Sequence, residues 1–376
     1  MNISRTMQWG LLLCMTAAAM ACVTNQLTEP CTDAACTENP PPGKLAADPR
    51  TFESAKDAGP LGTPVRIATI PGASDLALDH AGGAVVTAGL AKGPNAREGV
   101  FYVPPSGGSV VQIGKDPGMS PTTDGTRACW VKWVNGSRIL CSLLDGTPSV
   151  STSETDSSPT SPLIHGEYLY WFSDVYQNSL LKRTNLHDGR TETVAAIGPY
   201  SYQLLLDKGR FFWLTVVDRT TTTVKASLMD DGTIGAISPV ATIESQWVRS
   251  LAVAKEVSYT AIESNHIVWP PDAGPDVPGL YFAPTNASGG PPTVLQRQRF
   301  SYPPRLAVDR YHVYYTDSFN GVVYRLPIPT GTSDGRPRDP EVVAVGQGEL
   351  GGIRVTERFV YWTTGGMNGG LMRLAK

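Results

Sequence analysis

One pattern recurs along this sequence of 376 residues and constrains its fold more than any other feature. It consists of short apolar strands separated by tight turns, and it is clearest between Arg305 and Gly331. There, strands are predicted up to Asp309, through residues 313–315 and through residues 322–324. The Asn320-Gly321 dipeptide between the last two suits a hairpin, because both residue types tolerate a positive φ.

Aligning the middle strand of this pattern gives seven copies, spaced 41 to 56 residues apart. Their anchor residues are Val86, Trp130, Trp171, Trp213, Tyr259, Tyr315 and Trp362. Most copies also show a preceding and two following strands, which makes four strands per unit. A period of about 40–50 residues that contains several strands is typical of a propeller blade. The longest interval contains a loop insertion at residues 267–278.

The two ends of the pattern complement each other. The chain stops after a third strand at residues 370–374, and an unassigned strand precedes the first copy at residues 64–70. We therefore expect an all-β, seven-bladed β-propeller over residues 64–376, in which the N-terminal strand completes the last blade. Such a latch removes the exposed strand edges of a linear array.

The segments 360–363 (VYWT) and 314–317 (YYTD) resemble the YWTD-type and related bacterial β-propellers. The resemblance covers residues 64–376 and implies a propeller fold and, in most relatives, the binding of ligands or proteins. Most copies here depart from the strict motif, and that family commonly has six blades. The anchor rings suit either a binding ladder or packing between sheets, and their repetition at strand spacing favours packing.

The N-terminus predicts export. Residues 1–21 have Arg5 near the start, an apolar stretch and then small residues, as in a signal peptide. The segment Ala19-Met20-Ala21-Cys22 resembles the lipobox of bacterial lipoproteins. The resemblance implies cleavage before Cys22, acylation of its thiol, and attachment to a membrane of the bacterial cell envelope through a lipid anchor. Val23 in place of aspartate favours the outer membrane, on either its periplasmic or its surface side. The alternative is an ordinary cleaved signal in which Cys22 is incidental.

Residues 22–63 are rich in proline and poor in large apolar residues, which predicts a flexible tether. Two cysteine pairs suit disulfides in an oxidising compartment. Cys31 and Cys36 would close a small loop in the tether, whereas Cys129 and Cys141 flank a predicted hairpin. A two-residue turn would place the second pair on opposite sides of the sheet, and a three-residue loop over 134–136 would place them opposite one another.

Composition narrows the function classes. The net charge is −3 with 17% charged residues, so no basic surplus points to nucleic acid. The five histidines lack metal-ligand spacing, and no nucleophile elbow, P-loop or dinucleotide fingerprint is present. Asp79, Asp207 and Asp309 follow first strands, where we expect them to cap turns.

We expect no metal, no cofactor, no catalytic residue and a monomeric protein. The rival hypothesis is a hydrolase or lyase acting on extracytoplasmic polymers or lactones, with carboxylates at the central channel.

One group of residues predicts a binding surface. In a propeller, the fourth-to-first connections and the second-to-third hairpins lie on one face. Aromatic and arginine side chains concentrate there, namely Tyr200, Tyr202, Trp247, Arg249, Phe300, Tyr302 and Phe319. Such side chains are typical of contact surfaces for a protein or a polysaccharide. The alternatives are rings that plug the central opening, and a purely structural envelope component.

Overall fold

The computed structural model describes residues 61–89, 98–132, 137–149, 152, 158–173, 178–217, 222–230, 233–243, 248–254, 257–262, 279–286, 289–298, 300, 302, 304–328 and 339–376. The described residues form 28 strands in seven separate antiparallel sheets. Within this part of the chain, no helix is long and apolar enough to cross a membrane.

The first three sheets follow one another along the chain. Sheet 1 contains β2 (Ala73–Leu78), β3 (Ala84–Ala88), β4 (Gly99–Val103) and β5 (Val111–Gly114). Sheet 2 contains β6 (Gly118–Thr123), β7 (Arg127–Lys132) and β8 (Arg138–Leu143). Sheet 3 contains β9 (Thr160–His165), β10 (Tyr168–Ser173), β11 (Ser179–Asn185) and β12 (Thr191–Gly198).

The remaining sheets continue in the same order. Sheet 4 contains β13 (Ser201–Asp207), β14 (Arg210–Val216), β15 (Thr222–Asp230), β16 (Thr233–Ile234) and β17 (Ser238–Ile243). Sheet 5 contains β18 (Val248–Ala254), β19 (Val257–Ile262), β20 (Gly279–Pro284) and β21 (Thr293–Arg297). Sheet 6 contains β22 (Leu306–Val308), β23 (His312–Asp317), β24 (Val322–Pro327) and β25 (Glu341–Ala344). Sheet 7 contains β26 (Leu350–Val355), β27 (Phe359–Thr364), β28 (Gly370–Ala375) and, from the other end of the chain, β1 (Val65–Thr69).

The pairing of β1 with β28 confirms the predicted latch. The first strands of the seven sheets contact one another in cyclic order, and β26 contacts β2, so the array closes into a ring. This arrangement is an all-β propeller.

Among the described residues, the expectation of four strands per unit is met in six of the seven units, and sheet 2 shows three strands. After β8, the amide of Ser149 donates to the carbonyl of Cys141 (3.1 Å) and that of Thr152 to the carbonyl of Ile139 (3.0 Å). Pro148 lies opposite Ser142, so the described part of this segment runs along the outer edge of β8. Residues 150, 151 and 153–157 lie outside the described residues.

The core lies between the sheets. Seven clusters of buried side chains each join two neighbouring sheets, one cluster in every gap of the ring. The anchors Trp171, Trp213, Tyr315 and Trp362 are completely buried in these gaps. This confirms the packing interpretation of those rings; the side chain of Tyr259 lies outside the described residues.

The pairing of β7 with β8 decides between the two positions considered for Cys129 and Cys141. Cys129 pairs directly with Cys141, in the register that a three-residue loop over 134–136 requires. Their Cα atoms are 4.1 Å apart and their Sγ atoms are bonded at 2.04 Å. The disulfide lies in the gap between sheets 2 and 3.

Two faces of the ring follow from the topology. We call the side that carries the fourth-to-first connections and the second-to-third hairpins the upper face, and the side that carries the other hairpins the lower face. The amide of Gly62 donates to the carbonyl of Ala375 at the end of β28 (2.8 Å). The described chain therefore begins at the lower face.

Candidate binding face

Exposed apolar side chains are distributed unevenly over the propeller. Nine large apolar side chains among the described residues are exposed, and only Val65 and Val342 lie away from the upper face. The other seven all lie at the upper face, on loops or strand ends: Met119, Tyr200, Val217, Tyr302, Phe319, Val345 and Met367. Among the described residues, the exposed large apolar side chains are therefore concentrated on the upper face.

Three of the predicted surface residues are exposed there. Tyr200 is 46% exposed, Tyr302 is 41% exposed and Phe319 is 48% exposed. The structure brings Tyr302 and Phe319 together from separate loops, with ring centroids 6.5 Å apart and ring planes at 29°. Tyr200 lies in the connection between sheets 3 and 4.

Two of the predicted residues do not belong to the exposed surface. Phe300 is only 1% exposed, because it packs in the core between sheets 5 and 6. Tyr202 is half-buried, and its hydroxyl donates to the carbonyl of Val248 (2.6 Å), so it joins sheets 4 and 5. Trp247, the side chain of Arg249, and the cysteines Cys22, Cys31 and Cys36 lie outside the described residues.

The hairpin that carries Phe319 is held by hydrogen bonds on both sides. Asp317 is buried and accepts from the backbone amide of Asn320 (3.1 Å) and from its side-chain Nδ2 (2.8 Å). The hydroxyl of Ser318 donates to the carbonyl of Leu350 at the start of sheet 7 (2.7 Å). A short polar turn thus presents an aromatic ring from a fixed backbone.

That hairpin is also joined to the connection between sheets 6 and 7. The amide of Gln347 donates to the carbonyl of Gly321 (3.0 Å), and its side-chain Oε1 accepts from the indole of the buried anchor Trp362 (3.1 Å). The loops of the upper face are therefore tied to the core.

A buried aromatic pair lies in the core between sheets 5 and 6. Phe300 packs edge-on against Tyr315, with centroids 5.8 Å apart. The Tyr315 hydroxyl lies within hydrogen-bond distance of the side-chain carbonyls of Gln296 (2.8 Å) and Gln298 (2.9 Å), and its one proton is donated to this pair of acceptors. Burial raises the pKa of Tyr315, so the hydroxyl keeps its proton and remains a donor. Phe300 thus anchors the connection that continues to Tyr302.

Sequence reasoning missed four apolar members of this face, Met119, Val217, Val345 and Met367. They are isolated aliphatic residues at strand ends, where no aromatic motif marks them. Once strand order is known, their position in the upper-face connections identifies them.

The first strands approach each other closely around the channel. A Cβ atom at Gly351 would lie 1.9 Å from the carbonyl oxygen of Ser74, so only glycine fits between sheets 7 and 1. Elsewhere the amide of Gln203 donates to the hydroxyl of Ser161 (2.7 Å). The carboxylate of Asp75 accepts from the amide of Leu76 (2.9 Å). In the part of the chain that the structure describes, no group of three or more His, Cys, Asp or Glu could hold a metal ion.

No family model and no curated protein matches this sequence. Among solved structures, a puromycin-hydrolysing peptidase of Mycobacterium tuberculosis is 12% identical, with a TM-score of 0.56 over 82% of this chain and 51% of its own. The β-propeller domain of Cps50 (Swd1) of Myceliophteria thermophila is 9% identical, with a TM-score of 0.54 over 84% and 100%. The β-propeller domain of the trilobed protease of Pyrococcus furiosus is 12% identical, with a TM-score of 0.51 over 80% and 95%. At these identities the likeness shows the fold alone: the chain is a β-propeller.

Proposed function

We propose that this chain is a non-catalytic binding or scaffolding lipoprotein outside the cytoplasm, which engages a protein or a polysaccharide through the upper face of its propeller. The observation that carries the proposal is that, where the structure describes the chain, seven of nine exposed large apolar side chains lie on that face. Apolar side chains exposed together on one surface are typical of interaction sites, and aromatic residues contribute most to them.

The point where the described chain enters the propeller lies away from the proposed surface. The described chain begins at the lower face, where Gly62 bonds to Ala375. A lipid anchor at Cys22 followed by a tether at residues 22–63 would therefore join the propeller on the side opposite to the upper face. The Cys129–Cys141 disulfide fits an oxidising compartment, as export predicts.

The contact surface can be mapped by photo-cross-linking in the cell envelope. A photoreactive phenylalanine analogue replaces Phe319, Tyr200 or Met367 on the upper face, and Val65 or Val342 as matched exposed controls. We expect the three upper-face positions to yield a discrete protein or glycan adduct and the two controls to yield none. Equal adducts from both sets, or none from the upper face, would contradict the proposal.

The proposed lipid anchor at Cys22 is tested separately. Labelled palmitate should be incorporated into the full chain and not into a Cys22→Ser variant, which should leave the membrane fraction. A variant that stays in the membrane fraction without label would contradict the lipid anchor and leave the binding surface unaffected.

A further inference from the structure

We infer that the Tyr302–Phe319 pair is a subsite for a neutral polysaccharide chain. This inference rests on the proposed function of the upper face and specifies its ligand. It starts from the geometry of the two rings, which are both exposed, 6.5 Å apart and within 29° of parallel. Together they offer a shallow apolar platform that two separate loops build.

The chemistry of such a platform matches a sugar ring. The face of an aromatic ring carries partial negative charge and attracts weakly positive C–H groups. A pyranose presents several C–H groups on one flat side and hydroxyl groups around its edge, so it can stack on an aromatic ring while its hydroxyls bond to polar neighbours.

Polar groups of the required kind adjoin Phe319. Asn320 is exposed and uses one N–H of its amide to bond the carboxylate of Asp317. A side-chain amide has two N–H groups and a carbonyl oxygen with two lone pairs. Asn320 can therefore also donate to one sugar hydroxyl and accept from another.

The described charged residues around the pair carry no positive surplus, which disfavours an acidic ligand and suits a neutral one. The Asp317 carboxylate is buried, and both of its oxygens bond to Asn320. The exposed charged residues described in the adjoining segments, Arg305 and Glu349, have opposite signs. An acidic polymer would instead require a surplus of positive charge.

The surroundings are open enough for an extended chain. Ideal Cβ atoms at Gly346 and Gly348 would have no neighbour within 4 Å. These glycines lie next to the Phe319 hairpin, since the amide of Gln347 bonds to Gly321. The hairpin is fixed before any ligand arrives, and such preorganisation lowers the entropic cost of binding.

The test is calorimetric titration of the full chain in detergent with cellohexaose, chitohexaose, maltoheptaose and the acidic oligomer of galacturonate. We expect at least one neutral oligosaccharide to bind more tightly than the acidic one. The double variant Tyr302→Ser/Phe319→Ser should weaken that binding by about tenfold or more, equivalent to at least about 1.4 kcal/mol. The matched control Val342→Ser, at a similarly exposed apolar residue away from the upper face, should stay within about twofold.

Three outcomes overturn the inference: no binding by any neutral member of the panel, binding that survives the double variant, or preferred binding of galacturonate. If no oligosaccharide binds but photo-cross-linking at position 319 yields a protein adduct, the polysaccharide subsite is refuted and the proposed function stands. Absence of any upper-face adduct together with an inactive panel would refute both.

Discussion

The two faces of the propeller use their side chains in opposite ways. At the lower face, carboxylates bond to the turns that carry them: Asp79 accepts from the amide of Gly83 (2.7 Å) and from the hydroxyl of Tyr102 (3.0 Å). Asp309 accepts from the amides of Tyr311 (2.7 Å) and His312 (2.8 Å). At the upper face, large apolar side chains remain exposed. The lower-face carboxylates thus already bond within the protein and stabilise its turns. The exposed apolar side chains of the upper face can still contact a partner.

This difference separates stability from binding. Carboxylates after first strands could have marked a catalytic ring, but Asp79 and Asp309 cap their own turns, which confirms the expectation for these two residues. If the comparison is correct, lower-face substitutions will lower the free energy of unfolding and upper-face substitutions will not.

The largest loss of stability is expected for Asp309→Ala. The Nζ atom of Lys376 lies 2.6 Å from the Asp309 carboxylate, and both side chains are largely buried, with 14% and 8% of their surface exposed. The Tyr314 hydroxyl donates to the same oxygen (3.1 Å). Removing the carboxylate leaves a buried cation and turn amides without their partner, which costs about 3–5 kcal/mol. Urea unfolding followed by circular dichroism measures the change.

The double variant Asp309→Ala/Lys376→Met is the control for that result. Because it removes both charges, it should recover part of the loss that the single Asp309→Ala variant shows. A loss below about 1 kcal/mol for Asp309→Ala would show that the lower-face pair does not stabilise the ring.

The second prediction concerns acid stability and His312. This side chain is 2% exposed, and its burial, assisted by the charge of Arg325, lowers its pKa from 6.5 to about 4. Asp309 and Glu341 oppose this shift, while Lys376 adds to it. Between pH 6.5 and about 4 the unfolded chain takes up a proton that the folded chain refuses, so stability falls as the pH falls.

His312→Gln should flatten this part of the pH profile, by at most about 1.4 kcal/mol per pH unit. Melting temperatures measured across the range give the slope. The remaining loss of stability in acid should come from carboxylates such as Asp309. Burial acts to raise the pKa of Asp309, but bonds from Lys376 and the turn amides outweigh it and hold that pKa below its usual value. An unchanged slope between pH 6.5 and 4 would exclude His312 as the source.

A smaller loss is expected for Asp124→Ala in sheet 2. Partial burial opposes the shift, but bonds from Arg127 and Thr126 hold the pKa of Asp124 below its ordinary value. Its Oδ1 atom accepts from both backbone amides at 2.8 Å. This turn is more exposed than that of Asp309, so the loss should be about 1 kcal/mol. Asp124→Asn, which keeps one acceptor, should lose less, and a larger loss than for Asp309→Ala would reverse the predicted order.

The sequence predicts the repeat well and the surface only in part. Period and anchors are visible because the second strand of most copies is an almost continuously buried apolar run, as in β10 and β23. The latch is visible because the two ends of the pattern each leave one strand without a partner, and these strands, β1 and β28, pair. Sheet 2 shows three strands among the described residues, because part of the segment that follows β8 lies outside them.

For the binding face, residue type alone could not separate Phe300 from Tyr302. They are two positions apart in the same connection, yet one is buried and the other exposed. Only the packing of the neighbouring sheet decides which ring enters the core. The meeting of Tyr302 with Phe319 likewise depends on the three-dimensional proximity of two loops.

The smallest change in stability, and the sharpest test of the comparison, is expected for Tyr302→Ser/Phe319→Ser. Both rings are more than 40% exposed, so their removal leaves little cavity, and the hydrogen bonds of Asp317 and Ser318 that hold the hairpin remain. The free energy of unfolding should stay within about 0.5 kcal/mol of the wild type, although oligosaccharide binding is weakened by about tenfold or more. Phe300→Ser serves as the opposite control, because it opens the core between sheets 5 and 6 and should cost about 3 kcal/mol or more. If the double variant lowers the free energy of unfolding by more than about 1 kcal/mol, the two aromatic side chains stabilise the propeller. The division between a stabilising lower face and a binding upper face would then fail.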